Sequence, residues 1–306
     1  MTRPGRRNSR GRTGPGTSFH ASKAPSGAAA GRVTEGPGGI RLQKYLSDLG
    51  LGSRRQVESW IEKGRIRVDG RAAELGQKVS DRSRILLDGK PVSRRPPAAR
   101  GTRVIAYNKP EGEICSRDDP AGRPTVFRNL PRIRKARWVA VGRLDINTRG
   151  LLLFTTDGDL ANRLMHPDTG LEREYLCRVF GDVDATAMDT LRRGVELDGE
   201  RIGFRSIARQ RGEGRNTWFR VVVTEGRYRE VRRLWEAVGC RVSRLVRVRY
   251  GPVRLPRGVP AGGWAELGAA EVSGIVRIAQ SVPPSGDGTA GRALVRGDRE
   301  RKKPGA

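Results

Sequence analysis

Asp145 stands in a polar turn, Gly142-Arg143-Leu144-Asp145-Ile146-Asn147-Thr148-Arg149-Gly150, between two apolar runs that read as strands, Trp138 to Val141 and Leu151 to Thr156. A carboxylate and a guanidinium held between buried strands are costly unless the charges pair with each other or meet a ligand. Asp145 with Arg143 is therefore the first candidate site; the plainer reading is an aspartate that serves turn geometry. Farther along, Arg227, Arg229, Arg232 and Arg233 crowd the start of a predicted helix whose apolar face is Val231, Leu234, Trp235 and Val238. Cations at that end oppose the helix dipole and cost stability without an anion. Such a local conflict points to function. Tyr175 lies in a predicted strand, Glu174 to Val179, where composition alone favours a core tyrosine. The last long strand, Val242 to Tyr250, carries Arg247 and Arg249 at alternate positions, which predicts one shared face.

These residues sit in a strongly basic chain. Its 306 residues hold 61 Lys plus Arg against 33 Asp plus Glu, a formal charge of +28. The excess is spread over every part of the chain. So large a surplus strains the compact state by self-repulsion unless a polyanion is near, and nucleic acid is the natural partner, because each neutralised phosphate releases counterions. No apolar run approaches the length of a membrane-spanning helix. Three scattered cysteines do not make a disulfide framework. With only two histidines, His20 and His166, a zinc cluster or a histidine-based triad is excluded as the chemistry.

Composition divides the chain. Residues 1–39, rich in Gly and Pro and poor in large apolar side chains, are expected to be a disordered basic tail, and residues 280–306 read the same way. The glycines and prolines of the first tail argue against an amphipathic targeting helix. Residues 40–98 form a small unit that ends in a linker, Arg94-Arg95-Pro96-Pro97-Ala98-Ala99-Arg100-Gly101. Residues 99–279 form the larger unit.

In the small unit, Leu42, Tyr45, Leu46 and Leu49 mark one helix face, with Gly50 at its end. Ser53 and Gln56 make a capping box for a second helix that carries Val57, Trp60 and Ile61 and stops at Gly64. Short strands follow around Ile66 and Val68 and at Ile85-Leu86-Leu87, with turns at Asp69-Gly70 and Asp88-Gly89. Arg54 and Arg55 open the second helix, and Lys63, Arg65 and Arg67 follow it, so one helix-turn-strand edge gathers cations suited to phosphates.

This small unit resembles the S4 RNA-binding domain, through Arg41-Leu42-Gln43-Lys44-Tyr45-Leu46, Gly52-Ser53-Arg54-Arg55-Gln56 and Ile61 to Gly70, with Asp69 where the family usually has Asn. The large unit resembles the RsuA-type family of pseudouridine synthases. Gly142-Arg143-Leu144-Asp145 with Thr148 and Gly150-Leu151-Leu152 matches its catalytic signature. Arg173-Glu174-Tyr175 matches its tyrosine motif, and Glu225-Gly226-Arg227-Tyr228-Arg229-Glu230-Val231-Arg232-Arg233-Leu234-Trp235 its basic motif. That basic motif, Asn108-Lys109-Pro110-Glu111-Gly112 and the stretch Thr155 to Pro167 look most like the branch that acts on the large ribosomal subunit.

The resemblance implies an α+β chain: an S4 domain of two helices and short strands, then a catalytic domain on a mixed, mainly antiparallel sheet with flanking helices. It implies isomerisation of uridine to pseudouridine in large-subunit rRNA or its precursor particle, by a cytoplasmic monomer that needs no cofactor or metal. Asp145 would be the nucleophile, at ribose C1′ or base C6, or the base of a glycal route. Arg232 would be its buried partner. Tyr175 would stack on the target base, and Arg143, Arg227, Arg229 and Arg233 would hold the nucleotide. Arg41, Lys44, Arg54, Arg55, Lys63, Arg65 and Arg67 would bind RNA. Two other readings compete: an rRNA-binding assembly factor without catalysis, and a synthase for another rRNA site.

Overall fold

A computed structural model of the chain describes residues 39–93, 101–117, 119–133, 136–213 and 215–281. The expected tails, apart from Gly39, Gln280 and Ser281, lie outside the described residues, as does the expected linker apart from Gly101.

The small unit opens with helices α1 (Leu42–Asp48) and α2 (Arg54–Glu62), followed by strands β1 (Ile66–Val68) and β2 (Ile85–Leu87), which pair antiparallel. Ser53 caps α2 through the N–H of Gln56, and the Gln56 side chain accepts from the Ser53 N–H, so both halves of the capping box form. The two Asp-Gly turns adopt positive φ at both residues, 50° and 84° at Asp69-Gly70 and 50° and 75° at Asp88-Gly89. That geometry matches strand twist in a tight hairpin. Leu42, Leu46, Val57, Ile61, Ile66 and Ile85 close the core. Ile40–Arg41 is itself a short strand, paired with Lys78–Val79.

The large unit is built on one nine-stranded sheet. Its principal strands are β3 (Val104–Lys109), β4 (Val139–Val141), β5 (Arg149–Thr155), β6 (Arg173–Phe180), β7 (Ser206–Glu213), β8 (Asn216–Val223), β9 (Arg241–Tyr250) and β10 (Trp264–Glu266). The order is β7-β8-β6-β9-β5-β3-β10, with β4 also on β5. Among the described strands of the sheet the β9–β5 contact is parallel and the other pairings are antiparallel. Helices α3 (Gly158–Met165), α4 (Ala185–Arg193), α5 (Glu230–Glu236) and α6 (Ala269–Gln280) complete the unit, and α6 runs one residue into the stretch read as tail.

Two cores lie on opposite faces of the sheet. One holds Tyr175, Cys177, Val179, Phe219 and Leu245 with Leu191 of α4 and Leu234 and Trp235 of α5. The other packs α3 and α6 on Val104, Ala106, Leu151 and Leu153.

The parallel contact fixes where the Asp145 turn sits. At Gly150, φ is +98° and an added Cβ would lie 2.3 Å from the Arg247 carbonyl oxygen. Only glycine lets β5 approach β9 that closely. The 142–150 turn is thereby pinned beside Arg247.

Candidate active site

The Asp145 turn is gripped by its backbone. Lys109, at the end of β3, is fully buried, and its Nζ donates to the carbonyls of Pro110 (3.0 Å), Ile146 (3.3 Å) and Thr148 (2.9 Å). Arg232, in the first turn of α5, donates from Nη2 to Asn147 O (3.0 Å) and from Nη1 to Val242 O (2.8 Å). The Leu144 N–H donates to Cys115 Sγ, whose thiol returns a bond to Leu144 O, both at 3.3 Å. Thr148 N closes the turn on Asp145 O at 3.0 Å. Every carbonyl from Leu144 to Thr148 is therefore engaged, and the position of the Asp145 side chain is set before any ligand arrives.

Two buried cations could grip an acidic turn by its carboxylate. Here they hold its carbonyls, and the Asp145 carboxylate makes no hydrogen bond or ion pair with the described residues. This corrects the pairing of Arg232 with Asp145 implied by resemblance: the guanidinium acts on the carboxylate through space. Burial lowers the pKa of Arg232 and of Lys109, and the charge of Asp145 works against that lowering in both. Cys115, also on the cleft wall, has its pKa raised by burial, so its thiol stays protonated.

Asp145 opens into a cleft of about 740 Å³ that it shares with Arg143, Thr148, Arg173, Tyr175, Arg227 and Arg247, among others. Tyr175 is buried against Leu245, Val223 and Val231 on the cleft wall. Arg143, exposed on the turn, has no carboxylate partner among the described residues.

Arg173 and Arg247 flank Tyr250, each guanidinium 5.1 Å from its ring centroid, and both are buried. Arg173 donates to Leu171 O and Thr224 O, and Arg247 to Leu151 O, so carbonyls, not carboxylates, hold them. Thr148 Oγ1 and Arg247 Nη2 are buried without a protein partner among the described residues. A buried donor left unmatched is costly, and two such groups on one cleft mark a place for a polar, anionic ligand.

The α5 arginines behave differently from expectation. Arg227 pairs with Glu225 and Glu200, and Arg233 with Asp198 at 2.6 and 2.8 Å. Arg229, at the N-cap with φ 50°, reaches Glu236 at 3.4 Å. The cation cluster is thus neutralised largely from within, which removes the conflict read from the sequence. Arg227 and Arg229 still line the cleft; Arg233 does not.

The expected shared face of Arg247 and Arg249 is also corrected. Glu174 pairs with Arg249 and Tyr175 with Arg247, so a bulge at Val248 breaks the alternation. Arg247 enters the cleft beside Tyr175, whereas Arg249 goes to Glu174 (2.8 Å) and Glu172 (2.9 Å).

In the small unit, Arg54, Arg55 and Lys63 are exposed without ion pairs among the described residues, as is Arg41, and Arg67 donates only to Gly70 O. Arg65 is held by Asp88 at 2.5 Å and also lies over Trp60. Lys44, expected on the RNA surface, bridges Asp48 (3.1 Å) and Asp159 of α3 (2.9 Å). Arg137 donates to the Ser47 hydroxyl.

Lys109, Arg173 and Arg247 were not among the candidates read from sequence. A signal was present for Arg247, a cation between Val246 and Val248 inside a strand, where burial is expensive without a purpose; Lys109 and Arg173 stand at strand ends beside polar residues, and local sequence does not mark their burial.

Comparison with known proteins follows the same lines. The model of the RNA pseudouridylate synthase family matches residues 103–237, and that of the S4 domain residues 40–85. The chain is 54% identical over 265 residues to the ribosomal large subunit pseudouridine synthase B of Escherichia coli (strain K12), covering 86% of this chain and 90% of that protein. It is 49% identical over 268 residues to the protein of that name from Pseudomonas aeruginosa, covering 87% and 69%. Among solved structures, a pseudouridylate synthase superposes with a TM-score of 0.54 at 25% identity, covering 77% of this chain and 99% of that one.

Proposed function

The chain belongs to the RNA pseudouridylate synthase family, and from that premise we propose that it isomerises a uridine of large-subunit rRNA to pseudouridine, with Asp145 as the nucleophile. One observation carries the assignment: a carboxylate with no hydrogen-bond or ion-pair partner among the described residues projects from a turn whose carbonyls from Leu144 to Thr148 are all engaged, into a cleft lined by cations and Tyr175.

The reaction breaks the uridine N1–C1′ bond, turns the base and rejoins it through C5, from which a hydrogen leaves. Asp145 attacks ribose C1′ or base C6; in a glycal route it takes a proton instead. Each route needs an ionised carboxylate, and the buried cations Lys109 and Arg232 hold the turn that carries it. Tyr175 stacks on the base and stands where it can assist loss of the C5 proton. Arg143 and the Arg173–Arg247 pair hold the nucleotide and its phosphate. A stacked uridine cannot reach Asp145, so the enzyme flips it, at a cost of about a few kcal/mol. Phosphate contacts from Arg54, Arg55 and Lys63 on the S4 unit help to offset that cost. The proposed working state is a cytoplasmic monomer.

Tritium release from rRNA labelled at uridine C5 tests the reading. Release from a large-subunit transcript, or from a large-subunit precursor particle, is the expected result. Release from small-subunit rRNA alone would move the substrate. Binding without release from any of these RNAs would support the assembly-factor reading.

A further inference from the structure

The sheet has a second basic surface, on the side away from the cleft. Along β6, Tyr175, Cys177 and Val179 point to the cleft side, so Leu176, Arg178 and Phe180 point the other way. Helices α3 and α6 cover that reverse face over β3, β4 and β5, and α3 reaches Tyr250 at the end of β9. Farther along the sheet, over β8, β6 and β9, the described side chains on it are mostly half-buried or exposed.

Its arginines fall into two sets. Toward one end, Arg220, Arg249 and Arg254 converge on the buried carboxylate of Glu174. Toward the other, Arg178 has Arg244 as its cross-strand partner on β9 and Trp218 as its partner on β8. Neither Arg178 nor Arg244 makes an ion pair among the described residues. Like charges directly opposite each other destabilise a sheet, and no carboxylate offsets this pair. In the next row Phe180, 40% exposed, lies opposite Arg241. The result is a strip in which the guanidiniums of Arg178, Arg244 and Arg241 adjoin the rings of Trp218 and Phe180 on an open sheet, with Arg215 also lying over Phe180 at 5.2 Å. Phosphates suit the first and bases suit the second.

We propose that this reverse face, centred on Trp218, Arg178 and Arg244, is a second RNA-binding surface that takes an unpaired stretch of the same rRNA, remote from the target uridine. The proposal rests on the reading of the chain as an rRNA enzyme and extends it from the cleft to the back of the sheet. Arg178 lies three residues along β6 from Tyr175, about 10 Å at the usual rise, and on the opposite face. A short hairpin seated in the cleft cannot cover both places, whereas a long transcript can.

The test compares the full chain with its Arg178→Gln/Arg244→Gln variant on two RNAs, a short hairpin bearing the target and a long large-subunit transcript. On the transcript, the variant should bind about tenfold more weakly, with a log–log salt slope shallower by about 1.4, roughly 0.7 for each single-strand phosphate that is no longer neutralised. KM for tritium release should rise while kcat stays unchanged. On the hairpin, affinity, KM and kcat should match the parent. Thermal stability should not fall, since a like-charge pair has been relieved, and Arg178→Lys/Arg244→Lys should restore transcript binding. Trp218→Phe should lose part of the tryptophan quenching that the transcript causes. Equal transcript affinity and salt slope in parent and variant would overturn the proposal and leave the face to an acidic protein. Equal losses on hairpin and transcript would overturn it too, as a general charge effect. A parent that releases no tritium from either RNA would instead defeat the catalytic reading on which the proposal rests.

Discussion

The S4 unit and the start of α5 both gather arginine within a few residues, yet they use it in opposite ways. At α5, Arg227, Arg229 and Arg233 each meet a carboxylate, and Arg232 donates from Nη1 and Nη2 to two carbonyls. On the S4 unit, Arg54, Arg55 and Lys63 stand exposed with no such partner among the described residues. In a chain of net charge +28, the presence of a cation therefore says little about its task. Paired cations build the geometry of the cleft, and the proposed function assigns the unpaired ones to phosphate. The cleft itself contains both kinds, with Lys109 and Arg232 holding the turn while Arg143 remains open to ligand.

Among the cations, the largest effect should come from breaking one that is fully spent. Lys109→Met would leave the carbonyls of Ile146 and Thr148 without their buried donor, at a cost of about 3 kcal/mol in urea unfolding. kcat should fall about 100-fold because the Asp145 turn loosens. A variant with parental kcat would show that the turn does not depend on this grip.

Next in size are the unspent cations. Arg54→Gln/Arg55→Gln should weaken binding to structured rRNA and make the log–log salt slope shallower by about 1.8 for duplex contacts, with unfolding unchanged. An unaltered slope would remove these residues from the RNA surface.

Glu174→Gln sharpens the comparison on the paired side. Burial alone would raise the Glu174 pKa, but hydrogen bonds from Arg249 and Arg220 outweigh it and leave the carboxyl below its ordinary 4.5. A depressed carboxylate stabilises the fold above the unfolded value, and that stability is lost as pH falls through the folded value. At neutral pH the variant should be less stable by about 1–3 kcal/mol, and the gap from the parent should close in denaturant titrations carried below pH 4.5. A gap independent of pH would contradict the charge argument.

The smallest effect is expected from Arg65→Gln or Arg233→Gln. Both cations are already held by exposed aspartates, Asp88 and Asp198, and exposed pairs contribute little. RNA affinity within about twofold of the parent is the expected result; a loss as large as that of the Arg54/Arg55 variant would erase the distinction between the two sets.

What could be read from the sequence follows the range of the interactions. The capping box of Ser53 and Gln56 and the Asp69-Gly70 and Asp88-Gly89 turns are decided within four residues, and they form as the pattern indicates. The Asp145 turn was legible because two apolar runs bracket it. The carboxylates that quiet α5 were not legible, since Asp198 and Glu200 come from a separate hairpin 35 and 27 residues away from Arg233 and Arg227. The grip of Lys109 on Thr148 spans 39 residues. The bulge at Val248, which sends Arg247 and Arg249 to different faces, depends on how β9 registers with β6, and strict alternation along one strand cannot show it.

The central claim is that the carbonyls of the turn from Leu144 to Thr148 are held so that one carboxylate is left free to react. Its most direct test measures single-turnover pseudouridine formation and RNA affinity on the same preparation of Asp145→Asn. The account predicts that turnover falls by on the order of 10⁴-fold or more, while the dissociation constant stays within about threefold of the parent, since the amide keeps the shape of the turn. Comparable losses of affinity and turnover, or a surviving rate near that of the parent, would contradict it.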